Sequence, residues 1–118
     1  RILILGLTFK EDCPDMRNSK VKEIFDDLTS KSLKVDVFDP QAEHSEVLKY
    51  YPKKSVLSKI PLKNNKYDSI LIAVPHNEFK ELGYETIKSL GSNTSLFYDL
   101  KEIFPKEKVD FKLWKLSV

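Results

Sequence analysis

A chain of 118 residues can enclose one hydrophobic core but not two, and 41% hydrophobic with 32% charged residues is a globular composition, neither disordered nor membrane-embedded. Twenty basic residues against eighteen acidic ones leave a formal charge of +2, with lysines scattered among Glu and Asp, which excludes a nucleic-acid footprint and makes any anion site local. No apolar run approaches the roughly 20 residues of a bilayer span, no signal-peptide pattern opens the chain, and Cys13 has no second cysteine to pair with; these features predict a soluble, cytoplasmic protein.

The chain opens abruptly on Arg1-Ile-Leu-Ile-Leu5, with no initiator Met or polar lead-in, as expected of a piece cut from a longer protein. Ile2 to Leu5, ended by Gly6, has the continuous apolar character of a strand buried on both faces of a parallel sheet. A polar loop follows, and Asn18 or Ser19 is the expected N-cap of a helix whose Val21, Ile24, Phe25 and Leu28 share one face. Val35 to Phe38 reads as the second strand, stopped at Asp39-Pro40 because proline lacks the amide that would continue the ladder. Between Gln41 and Lys66 the pattern is weaker, with a short helix around Glu43 to Tyr50 and a strand or loop near Ser55 to Leu57. Ile70 to Val74 is the clearest buried strand. After Pro75 come helical stretches at about Glu78 to Leu82 and Tyr84 to Leu90, ended by Gly91, then strands at Leu96 to Tyr98 and Phe111 to Leu116.

Alternating strands and helices predict an α/β fold, a Rossmann-like three-layer sandwich with a mostly parallel sheet. Ligands bind such sheets at the carboxyl ends of the strands near the topological switch point. That rule selects the loops Gly6 to Ser19, Asp39 onward and Pro75 to Phe79, with Asp99 to Glu102 as a fourth.

The first loop carries the most chemistry. Phe9 is a flat apolar surface for a base or sugar, and Lys10 a point charge for a phosphate; alternatively Phe9 packs under the loop and Lys10 is simply solvated. Only the first glycine of a G-x-G-x-x-G fingerprint is present, at Gly6, which argues against a dinucleotide site. Asp15 and Arg17 suit a brace across the loop, with Ser19 capping the next helix, although Arg17 could instead reach a phosphate or a neighbouring subunit. Cys13 has no evident base nearby in sequence, so no catalytic residue is assigned. His76, at a strand end, suits capping or packing better than ligand contact. Two histidines and one cysteine give no metal-ligand spacing.

Taken in order, Gly6-Leu-Thr-Phe-Lys10, Asp15-x-Arg17-x-Ser19, Phe38-Asp39-Pro40, Ala73-Val-x-His76-x-x-Phe79 and Tyr98-Asp-x-Lys101 resemble the C-terminal domain of the UDP-glucose/GDP-mannose dehydrogenase family. The resemblance covers nearly the whole chain and implies that residues 1–118 form a single UDP-sugar-binding domain, with the NAD-binding N-terminal domain and the central helical part of the parent enzyme absent. It implies that Phe9, Lys10, Arg17 and Lys101 contact the substrate. Lys101 stands where many UDP-glucose members carry arginine, and Leu100 replaces a common glycine, so the resemblance points to a UDP-N-acetylhexosamine rather than UDP-glucose. The parent enzyme would be a homo-oligomer of polysaccharide biosynthesis that uses NAD, bound mainly by the absent domain, to oxidise a C6 alcohol to a carboxylate. The nucleophilic cysteine of that chemistry lies upstream in the family, so this piece alone is expected to be inactive and Cys13 is not that residue. Two other readings remain open: a free-standing Rossmann-like nucleotide-binding module in which Asp39 grips a ribose, and a domain that mainly assembles the oligomer.

Overall fold

The computed structural model describes residues 1–62, 66–100 and 104. Four strands, β1 (Ile2–Leu5), β2 (Val35–Phe38), β3 (Tyr67–Ile72) and β4 (Gly91–Asp99), form one sheet in the order β2-β1-β3-β4, with every pairing parallel. Among the described residues the helices are α1 (Val21–Ser30), α2 (His44–Val47), α3 (Asn77–Leu82) and α4 (Tyr84–Lys88), with a 3-10 turn at Lys53–Ser55. The α/β class and the parallel sheet expected from the alternation are both present.

The strand period of two divides the core cleanly. In β1, Ile4 faces a cluster containing Val21, Phe25 and Leu28 of α1 and Val47 of α2, while Leu3 and Leu5 face Phe79 of α3 and Tyr84 and Ile87 of α4. The sheet is therefore covered on both sides, which gives three layers and explains why its strands are apolar throughout. Buried Asp36 interrupts that pattern in β2, and it is satisfied by the Tyr67 hydroxyl at 2.7 Å and the Arg1 guanidinium at 3.4 Å. Burial and this bond to a carboxylate both push the Tyr67 phenol upward from its usual range.

Several boundaries differ from the sequence reading. The N-cap position of α1 is Lys20, which makes no side-chain cap; Ser19 Oγ accepts the Val21 N–H at 3.3 Å, so the serine supports the first turn from one position further out. The helix expected over Glu43 to Tyr50 is regular only at His44–Val47. Near Ser55 to Leu57 the chain makes one parallel bridge, Val56 to Val37, alongside β2. The third strand begins three residues earlier than expected and ends at Ile72, because Val74 leaves the ladder to pass against Gly6. Gly91 opens β4 as well as following α4: it pairs with Tyr67, and the next paired residue, Leu96, stands opposite Ser69 across an irregularity. The expected strand at Phe111 to Leu116 lies outside the described residues.

Candidate functional site

The chain runs from β1 to β2 on one side and reaches β3 on the other, so the switch point lies at the carboxyl end of β1. Gly6 makes the exit from β1 with φ of +94°, and a Cβ there would lie 2.7 Å from the backbone N and O of Val74. The loops after β1 and β3 thus approach more closely than any side chain at position 6 would allow.

Over the end of β1, the loops after the flanking strands meet. Asp39, after β2, is buried; its Oδ2 accepts the N–H groups of Leu7 at 2.6 Å and Thr8 at 3.1 Å, and its Oδ1 those of Gln41 at 2.7 Å and Ala42 at 3.2 Å. His76, after β3, is 0% exposed, with Nε2 2.8 Å from Asp39 Oδ2 and 3.0 Å from Thr8 Oγ1. The Asp12 backbone N–H donates to His76 Nδ1 at 2.9 Å. A backbone amide only donates, so Nδ1 carries no proton and the single ring proton sits on Nε2. The contact with Asp39 is therefore a charge-assisted hydrogen bond from a neutral imidazole. Burial pushes the Asp39 carboxyl upward, but the bond from His76 and the Leu7 and Gln41 amides outweigh it, leaving the carboxyl below its usual range.

Asp, His and Thr in contact suggest a nucleophilic triad, and the geometry rules that out. A relay needs one ring nitrogen for the carboxylate and the other for the hydroxyl, whereas here both use Nε2. Thr8 is buried, and its hydroxyl donates to the Lys10 carbonyl at 3.1 Å. The cluster ties the fold together rather than performing chemistry.

Further bonds fasten the same loops. Asp12 Oδ1 accepts the Asn77 N–H at 2.8 Å, and Gln41 Nε2 donates to both Glu78 oxygens at 2.8 Å. The Phe9 N–H donates to the Asp15 carbonyl at 2.8 Å, which folds residues 15–17 back towards Phe9. Against this braced base, Phe9 is 54% exposed and Lys10 is exposed. Phe9 is not packed under the loop.

Arg17 and Asp15 form a two-pronged ion pair, Nε to Oδ1 and Nη2 to Oδ2, each at 3.0 Å, and the Arg17 N–H also donates to Oδ1 at 2.9 Å. The Arg17 hydrogen bond holds the Asp15 carboxyl below its usual range, and Asp15 in turn raises the guanidinium. These partners are two positions apart and the Arg17 side chain is 79% exposed, so the pair shapes a local turn. It does not brace the loop as the sequence reading expected; the Phe9–Asp15 backbone bond does that. Lys101 lies outside the described residues. Cys13 is a half-buried free thiol. Among the described residues, no group of three or more His, Cys, Asp and Glu could hold a metal, and no helix is long and apolar enough to cross a membrane.

A cleft of about 310 Å³ opens beside this cluster, lined by Phe38, Pro40, His44, Val47 and Leu57. A larger one, about 700 Å³, lies at the opposite end of β2 between Phe25, Leu33, Val35 and Pro52. Size does not select it, because the loops that converge, the exposed ring and the exposed cation are all at the carboxyl ends.

The Asp39–His76 contact is the feature sequence reading missed. A usable signal existed: a histidine shortly after one strand and an aspartate directly after another, in two of the loops that the strand-end rule selects.

In sequence the chain is similar to several curated proteins. The chain is 40% identical over 112 residues to the UDP-N-acetyl-D-glucosamine 6-dehydrogenase of Salmonella typhi, covering 95% of this chain and 26% of that protein. It is 41% identical over 113 residues to the enzyme of the same name from Pseudomonas aeruginosa, covering 96% and 26%. To UDP-glucose 6-dehydrogenase of Rhizobium meliloti it is 27% identical over 115 residues, covering 92% and 24%. The chain thus spans about a quarter of the length of these relatives. With residues 3–106 matching the family's UDP binding domain, and with the parallel sheet and switch-point loops in place, the chain belongs to the UDP-glucose/GDP-mannose dehydrogenase family.

Proposed function

We propose that residues 1–118 are the UDP-sugar-binding C-terminal domain of an NAD-dependent nucleotide-sugar 6-dehydrogenase, and that Phe9, Lys10, Arg17 and Lys101 contact the nucleotide sugar. One observation carries this reading: an aromatic ring and an ammonium stand exposed at the tip of a loop whose base is buried and fastened at the switch point. Rigid support with exposed recognition groups is the arrangement of a binding loop. Phe9 would supply a face for the sugar or base, and Lys10 a charge for the diphosphate.

The two more similar relatives, both UDP-N-acetyl-D-glucosamine 6-dehydrogenases, together with Lys101, favour a UDP-N-acetylhexosamine as the substrate of the whole enzyme. NAD would bind mainly to an N-terminal domain and would supply there the hydride acceptor for oxidation at C6. In this reading the whole enzyme is a cytoplasmic homo-oligomer serving polysaccharide biosynthesis, and this chain contributes binding rather than turnover. Asp39 bears on the competing dinucleotide module. Among the described residues its oxygens accept from the Leu7, Thr8, Gln41 and Ala42 amides and from His76, and its side chain is buried, so it is not free to grip a ribose.

Calorimetric titration of the chain with uridine diphosphate, and separately with NAD, tests the assignment. Lys10→Ala should weaken uridine diphosphate binding by about tenfold to a hundredfold, the loss of one charge-assisted hydrogen bond, without moving the denaturation midpoint. Unchanged binding in the folded variant overturns the role of Lys10, and tight NAD binding with none to uridine diphosphate overturns the nucleotide-sugar reading.

A further inference from the structure

We propose that His76 is a positioning residue for nucleoside diphosphate binding, acting through the loop backbone. The neutral ring, clamped between the Asp39 carboxylate and the Asp12 amide, sets the conformation of Thr8 to Asp12 and so presents Phe9 and Lys10. This rests on the nucleotide-binding reading above.

Asp12 has a φ of +54°, a left-handed conformation uncommon outside glycine though better tolerated by Asp than by most residues, and its contacts fix it there. Two bonds do so: its N–H to His76 Nδ1 at 2.9 Å, and its Oδ1 from the Asn77 N–H at 2.8 Å. The other end of the segment is set by Asp39, whose Oδ2 accepts the Leu7 and Thr8 amides and the His76 proton together. Between them the Thr8 hydroxyl accepts from His76 Nε2 and donates to the Lys10 carbonyl. A single buried ring therefore touches the segment at its start and at its end, and Phe9 and Lys10 are the exposed residues between. His76 makes no contact with solvent, so its effect on a ligand must pass through the positions of those two side chains.

The test uses the 118-residue chain with uridine diphosphate as probe, combined with amide hydrogen exchange. His76→Leu removes all three ring contacts, to Asp39, Thr8 and the Asp12 amide. His76→Gln keeps an N–H near the Nε2 position, and His76→Asn keeps an acceptor near Nδ1. Expected for His76→Leu is at least a tenfold weaker affinity at a temperature where it is fully folded, with faster exchange at the Asp12 and Thr8 amides and unchanged exchange at Ile4. His76→Gln and His76→Asn should each recover part of the affinity, and they carry the test if the leucine variant does not fold. Ile87→Val, on the buried face of α4, serves as the stability control and should bind like the unaltered chain. Unchanged affinity in the histidine variants, or an equal loss in Ile87→Val, overturns the proposal. If the unaltered chain does not bind uridine diphosphate, the nucleotide reading falls. The positioning claim is then decided by exchange alone: unchanged Asp12 and Thr8 protection in His76→Leu overturns it, and selective loss there supports it.

Discussion

Asp39 shows how one side chain can organise three loops. Its two oxygens accept from four backbone amides and one imidazole, all within a buried site, so loss of its charge strands several donors at once. The folded carboxyl lies below its usual range, although burial alone would raise it, because the bonds from His76, Leu7 and Gln41 favour the charged form more strongly. For a lowered carboxyl, the stabilising contribution is fully present above the unfolded value, about pH 4, and disappears as pH falls through the folded value below it. Asp39→Asn should therefore cost about 1–3 kcal/mol at neutral pH, and the gap to the unaltered chain should narrow below about pH 4. Urea denaturation as a function of pH measures this, and a gap that widens towards acid would contradict it. Sequence reading placed Asp39 correctly at the end of β2 and recognised His76 at a strand end, but considered each alone.

At the scale of the element, the loop after β1 is defined by its exit. Gly6 was legible as a turn glycine because a continuous apolar run stops there, but the reason for glycine is stronger than a turn. It combines φ of +94° with direct approach of the Val74 backbone, so alanine meets both torsional strain and a clash that no rotamer relieves. Gly6→Ala should destabilise the fold by about 2–4 kcal/mol, read from the urea midpoint at constant slope. Substitution at Gly83 is a useful contrast, since its φ of +84° imposes strain while its surroundings leave open space. The same closeness explains the misplaced end of β3. Apolar Ala73 and Val74 continue the strand pattern in sequence, and the Ala73 N–H still donates to the Leu5 carbonyl at 2.9 Å, but Val74 turns aside against the β1 exit at Gly6. Helix α1 differs less: its apolar face was read from periodicity, and only its cap shifted, from Asn18 or Ser19 to Lys20.

Across the whole molecule, stability comes from covering one parallel sheet on both faces. Leu5, 0% exposed on the inner strand β1, should cost about 2–5 kcal/mol when replaced by alanine, through lost burial and a residual cavity. Leu33, 44% exposed, should change stability by no more than about 0.5 kcal/mol under the same urea assay. Similar losses at both positions would mean that the core is not organised in these layers.

Local patterning determined the class of fold: period-two and period-3.6 apolar residues are short-range, so each strand and helix carries its own signal and their alternation implies the parallel, layered sheet. The motifs in the loops after β1, β2, β3 and β4 likewise stand in the sequence, and with them the family resemblance. Tertiary structure alone decided which of those residues are exposed and which are consumed by the fold. Phe9 is turned out and Asp39 is spent internally, because the order β2-β1-β3 brings two loops across the end of β1. His76 and Asp39 are 37 positions apart, and no periodicity encodes a contact made only when their strands flank the same neighbour.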